Sequence, residues 1–245
     1  MINIVLVNQS TVVKDADVSA WTAALQTQVT RDFVPAWGVD AKLSFLPKGQ
    51  NPPAGSWVLA VLDNADQAGA LGYHDVTPDG LPLGKVFAKT TIDDGGAVSV
   101  TASHELLEML GDPDINLTAE LDDGSGKPSK FYAYEVCDAC EDDSFGYKID
   151  GVLVSDFVYP AYFESFRTAK SAQFDYGNKV TGPFTLLKGG YISVLDLGNL
   201  SEGWQQLTPT KSDLLAAIHS RARIGSRRER RRISRAHWIV SDYKQ

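Results

Sequence analysis

His104, Glu105 and Glu108 stand in the stretch VSVTASHELLEMLGDPD from Val98 to Asp114, and their spacing is that of groups able to grip a divalent cation. Placed on a helix at about 100° per residue, Thr101, His104, Glu105, Glu108 and Asp112 fall within one quadrant, with Ala102, Leu106, Met109 and Leu110 opposite. His104 and Glu108 are i and i+4, one turn apart on one face, from which two side chains can reach one ion. Glu105 projects beside them, where a carboxylate can take a proton from water acidified by that ion. Gly111 and Asp112-Pro113 supply a stop, because glycine accepts the left-handed C-terminal conformation and proline cannot continue the hydrogen-bond ladder. Asp114, just past that turn, is placed to swing back as a third ligand.

The run from His104 to Asp114, HELLEMLGDPD, resembles the active-site helix of zincin metallopeptidases. The metzincin-type pattern H-E-x-x-H-x-x-G-x-x-[HD] fits with its glycine and last ligand in register, and Glu108 stands where the second histidine belongs. It is also similar to zincin-like proteins of bacterial and phage genomes that carry an H-E-x-x-E form. The resemblance implies one divalent metal, zinc first, held by His104, Glu108 and Asp114, with Glu105 as the general base of peptide hydrolysis. By analogy it covers residues 1–165, although eleven residues carry the specific match. A carboxylate in place of an imidazole swaps a borderline nitrogen for a hard oxygen, which opens the site to manganese, iron or calcium. It also makes water at the ion a weaker acid.

Those groups need a scaffold, and the preceding residues read as one. INIVLV, Ile2 to Val7, is a short apolar run typical of a strand buried on both faces. From Ser19 to Val34, Trp21, Ala24, Leu25, Val29 and Phe33 recur at helical spacing, and Pro35 is expected to end the helix. Val39 to Leu46 alternates and Trp57 to Leu62 is continuously apolar, giving strand, helix, strand, strand. The zincin resemblance makes this an α+β fold: a twisted mixed sheet with a backing helix and a metal-site helix, followed by a smaller C-terminal subdomain. Gly72 to Gly84 reads as a loop. His74 within it is a substrate-binding candidate, able to line the cleft as proton donor or metal ligand. Lys85 to Thr91 reads as a short strand, which in zincins is the sheet edge where an extended substrate pairs.

Between Thr101 and Phe145 twelve Asp or Glu face two lysines. Asp122-Asp123-Gly124-Ser125-Gly126 lacks the ligand register of an EF-hand. Glu135 and Asp138 are embedded among apolar and aromatic residues, so each needs a partner: a metal, a helix cap or a salt bridge. Glu135 is the alternative third ligand should Asp114 point away. Val152 to Phe163 reads as a strand and an aromatic wall. Metzincins place a methionine turn there, but the only methionines are Met1 and Met109, so Ser155-Asp156-Phe157 would fill that floor. Phe174 to Leu200 suggests one or two hairpins, and Ser212 caps a helix to about Arg223. The division is 1–165 for the metal-binding domain, 166–208 for a small β-rich subdomain and 209–245 for a C-terminal helix and tail.

Composition bounds the rest. With 245 residues, 43% hydrophobic and 22% charged, the chain can bury one sizeable core with an appendage. No apolar run approaches a membrane span of about 18 residues, and Met1 leads into a strand, so cytoplasmic synthesis without a signal peptide or membrane association is expected. Cys137 and Cys140 sit among acids that raise a thiol's pKa, the setting of buried thiols rather than a redox pair. Arg221 to Arg235 holds eight arginines against one glutamate, so the body is more acidic than the net charge of −8 conveys. That tail is expected to dock on an acidic protein surface or on nucleic acid. G-x-S-x-G and G-x-x-x-x-G-K-[ST] are absent from the sequence. Two readings follow: a metal-dependent hydrolase acting on a peptide or protein, or a zincin-shaped structural protein, such as part of a virus particle, keeping the metal as a staple or not at all.

Overall fold

The computed structural model describes residues 1–209 apart from 68, 122, 123, 125, 127 and 128. Strand β1 is Ile2–Asn8, with Ile4 to Val7 at most 3% exposed. Helix α1, Asp15–Thr27, opens with two acids in its first turn, where they oppose the helix dipole, and Asp17 accepts from the Lys14 backbone N–H. It continues through a π-helical turn, Gln28–Phe33, into α2, Val34–Trp37, which stops at Gly38 with φ 70°. Pro35 therefore does not end the helix as expected. It sits in the first turn of α2, where a missing N–H costs little.

The chain continues with β2 (Ala41–Leu46), β3 (Trp57–Leu62), β4 (Gly72–Val76), β5 (Pro82–Phe87), α3 (Ala88–Asp93) and α4 (Val98–Gly111). β6 (Thr118–Leu121), β7 (Lys130–Ala133), β8 (Tyr147–Ile149), β9 (Val152–Val154), β10 (Ile192–Asp196) and β11 (Trp204–Leu207) follow. The main sheet has the order β2-β1-β3-β5-β4, parallel except for β4, which runs antiparallel to β5. The protein is thus α+β around a mixed sheet.

Two expectations are corrected here. Gly72 to Gly84 is not a loop but β4, a turn and the start of β5. Lys85 to Thr91 is not the sheet edge: Lys85–Phe87 closes the inner strand β5 and Ala88–Thr91 begins α3, so the edge is β4. Residues Tyr73 to Val76 are all buried, and a short strand covered on both faces shows no polar-apolar alternation.

A second, antiparallel sheet has the order β11-β10-β7-β6, and β8 pairs with β9. β10 and β11 lie beyond residue 165 yet extend the sheet of β6 and β7, so strands from both sides of that position share one sheet.

Helix α4 lies under β4 and β5. From Val98 to Leu110 every residue except Thr101 is at most 8% exposed, so the expected His/Glu front is covered rather than solvated. Its rotation is fixed by polar ties. Ala97 N–H donates to Asp143 and Ser99 Oγ to the Leu153 carbonyl. Ser103 Oγ donates to Gln28 Oε1, and Gln28 Nε2 donates to the Ser155 carbonyl and to Tyr147. No helix among the described residues is long and apolar enough to cross a membrane. The helix expected from Ser212 and the arginine stretch 221–235 lie outside the described residues.

Candidate metal centre

The polar ties of α4 turn His104, Glu105 and Glu108 toward β4 and toward the segment 135–141. Gly72 on β4 makes room for them: a β-carbon there would stand 2.7 Å from Glu105 Oε1. From the other side comes the 3-10 turn Asp138–Cys140. That turn is clasped by the segment before β10, with Leu187 N–H donating to the Ala139 carbonyl and Tyr191 N–H to the Asp138 carbonyl, each at 3.0 Å. Gly190 permits the clasp, because a β-carbon at that position would collide with the Ala139 carbonyl.

His104 Nε2 lies 3.2 Å from Glu108 Oε1 and 3.2 Å from Asp138 Oδ1. The donor atoms of His104, Asp138 and Glu141 lie within 4.8 Å of one another, as do those of His104, Glu108 and Cys137. His74, 1% exposed, faces the same carboxylates from β4: its Nδ1 is 3.5 Å from Glu108 Oε2 and 3.7 Å from Glu105 Oε2. Its Nε2 is 3.6 Å from Glu135 Oε2. The Cys137 backbone N–H donates to Glu108 Oε1 at 3.2 Å.

Burial dominates the electrostatics. It resists the charged imidazolium of His104, yet Glu108, Asp138 and Glu105 outweigh it and hold His104 well above the usual histidine range. Burial likewise works against ionised Glu108, but His104 and His74 bring it well below its ordinary value. Asp138 goes the other way, to about 7, through burial and the charge of Glu108, partly offset by His104. Burial raises Glu141 to about 8.

Two ligands each about 2.1 Å from one ion stand roughly 3.0–3.4 Å apart at octahedral to tetrahedral angles, and Glu108 Oε1 and Asp138 Oδ1 each stand at such a distance from His104 Nε2. Asp138 Oδ1 is buried and has no hydrogen-bond partner among the described residues despite its 3.2 Å approach to the imidazole. That oxygen has the charged His104 beside it and room for a further positive partner.

The structure therefore brings together His104, Glu105 and Glu108, and it adds His74, which is no surface-loop residue. Glu135 reaches His74 rather than His104. Asp114 is exposed and belongs to none of the donor groups. Its neighbour Asp112 explains this: that buried carboxylate accepts from the N–H groups of Asn116 and Leu117 and turns the chain away after α4. Sequence reasoning named a metal as only one of several partners for Asp138, and it did not see Glu141 as a donor or Tyr191, whose backbone N–H donates to the Asp138 carbonyl. The usable signal for Asp138 was a carboxylate flanked by Val136, Cys137 and Ala139. Tyr191 gave none beyond its Gly-Gly approach.

Ser155-Asp156-Phe157 is buried behind α4, where Ser155 N–H donates to Ser103 Oγ. Both cysteines are free and fully buried, and burial raises both thiols well above their ordinary value. Comparison with protein-family models, with curated proteins and with solved structures finds no match to this chain.

Proposed function

We propose that this chain is a metal-dependent hydrolase of peptide bonds on a zincin-like scaffold. The observation that carries the reading is that Glu108 Oε1 and Asp138 Oδ1 each stand 3.2 Å from His104 Nε2 in a buried site. His104, Asp138 and Glu141, whose donor atoms lie within 4.8 Å of one another, would hold one divalent cation, with Glu108 beside His104 as a further oxygen donor. One imidazole among carboxylates suits zinc, manganese or iron better than calcium, which seeks about six to eight oxygens. When bound, such an ion polarises a carbonyl and lowers the pKa of water. Glu105 accepts the proton that the attacking water gives up and returns it to the leaving nitrogen. The mixed sheet with its antiparallel edge strand over the ligand helix supports the scaffold assignment.

One observation favours a second reading, a structural metal in an interaction protein such as a particle component. His74, His104, Glu105, Glu108, Glu135 and Asp138 are all at most 8% exposed, and closed sites hold metal without turnover. Metal analysis of protein purified without chelator separates the readings, run beside His104→Ala and Asp138→Ala, then assayed on an unfolded protein substrate. Metal lost in both variants, with turnover that Glu105→Gln abolishes, supports the hydrolase. Metal without turnover selects the structural site, and absence of metal ends both.

A further inference from the structure

We infer that the centre takes two divalent cations, bridged by the carboxylate of Glu108. The inference rests on the reading above for the ion at His104 and adds a second ion at His74.

The two oxygens of Glu108 face different histidines. Oε1 stands 3.2 Å from His104 Nε2, and Oε2 stands 3.5 Å from His74 Nδ1. His74 Nδ1 is also 3.7 Å from Glu105 Oε2, and the donor atoms of His74, Glu105 and Glu108 lie within 4.8 Å of one another. Both His74 distances match donors set about 2.1 Å from a common ion at angles near 110–125°.

Glu105 supplies independent support. Its Oε2 is buried, on a residue 4% exposed, and makes no hydrogen bond among the described residues. It points into the space that His74 and Glu108 also face. Its other oxygen, Oε1, lies over Gly72, so Glu105 can hold an ion through Oε2 and keep Oε1 as a proton acceptor.

The outer shell of His74 fits as well. With Nδ1 on the ion, the ring's remaining nitrogen faces Glu135 Oε2 at 3.6 Å. A carboxylate behind a ligating imidazole fixes its tautomer and raises its basicity. Glu135 then orients a ligand rather than acting as one.

A carboxylate bridge sets two ions about 3.5–4 Å apart, the spacing of hydrolytic two-metal sites.

The test loads the full chain with manganese(II), removes excess by gel filtration, and measures the metal-to-protein ratio and the electron paramagnetic resonance spectrum. The expected result is about two equivalents with the spectrum of a spin-coupled pair. His74→Ala keeps one equivalent and loses the coupling, His104→Ala keeps at most one, and Glu108→Ala weakens both ions. Glu105→Ala is read in the same way as His74→Ala, should the latter not fold by circular dichroism. Saturation at one equivalent that depends on His104 but not on His74 overturns the second ion and leaves the proposed function standing. One equivalent that depends on His74 but not on His104, or no metal at all, overturns both.

Discussion

Glu105 Oε1 stands 2.7 Å from the point that a β-carbon on Gly72 would occupy, and Thr101 Cγ2 stands 2.8 Å from it. Helix α4 is pressed against the edge strand at the one position where that strand has no side chain. Gly72→Ala must therefore push α4 or rotate Glu105. Overpacking of this kind costs about 1–3 kcal/mol. The expected outcome is that loss in denaturant unfolding, together with at least a tenfold weaker uptake of metal by titration. Unchanged stability and uptake would mean that the strand and helix separate freely.

Metal uptake should depend on pH with a defined sign. In the metal-free centre Asp138 is raised to about 7 and Glu141 to about 8 by burial, and His104 is raised well above its usual value against its burial by its acidic neighbours. Each must give up its proton to become a ligand. Affinity is therefore expected to rise with pH through this range, with protons released on binding below it and few released above it. Calorimetry in two buffers of different ionisation enthalpy measures that release. A proton count independent of pH between 6 and 9 would remove these residues from the ligand set.

Ser103 ties α4 to the rest of the fold, donating to Gln28 Oε1 at 2.7 Å and accepting from Ser155 N–H at 3.0 Å. Ser103→Ala leaves a buried carbonyl and a buried amide without these partners, at a cost of about 1–3 kcal/mol. None of the proposed ligands hydrogen-bonds to Ser103, so metal content should stay at the parent level while the unfolding midpoint falls.

Asp156 and Asp175 form a buried acid pair. Asp156 Oδ1 accepts from the N–H groups of Phe157 and Gly177, and Asp175 accepts from those of Lys179 and Val180. Burial and Asp175 raise Asp156 to about 8. A carboxyl that holds its proton more tightly when folded stabilises the fold fully below its ordinary range and loses that contribution as pH rises to the folded value. Asp156→Asn keeps the acceptor oxygen and removes the charge. Its Tm should fall less steeply between pH 5 and 8 and stand above the parent's at pH 8 by roughly 3–8 °C. A variant that melts lower at pH 8 would show the pair to be ionised and compensated.

The helical part of the site was legible because one element carries it: His104 and Glu108 need only an i, i+4 spacing. The order strand, helix, strand, strand was likewise readable from apolar periodicity, since β1, α1, β2 and β3 are local patterns. Asp114 lies outside the donor cluster for a reason that spacing cannot express. The same turn offers two aspartates, and it is Asp112 that goes inward, consumed by backbone N–H groups. His74 was misplaced because β4 is short and covered on both faces, so GYHDV shows no alternation. The turn bearing Asp138 is fixed by Leu187, Gly190 and Tyr191, pairings about fifty residues apart that no local window contains.

The clasp of the 187–191 segment around the Asp138–Cys140 turn sets an order of events. The ligand helix and the five sheet strands above it are complete once residue 111 has been made, but the turn bearing Asp138 has its backbone partners only after Tyr191 has been added. A ribosome-bound chain that has released its sheet and α4 would hold Glu108 opposite His74 of β4 but leave His104 without Asp138. The cluster thus closes only after residue 191 has been made, long after the helix and sheet that carry His104, Glu108 and His74.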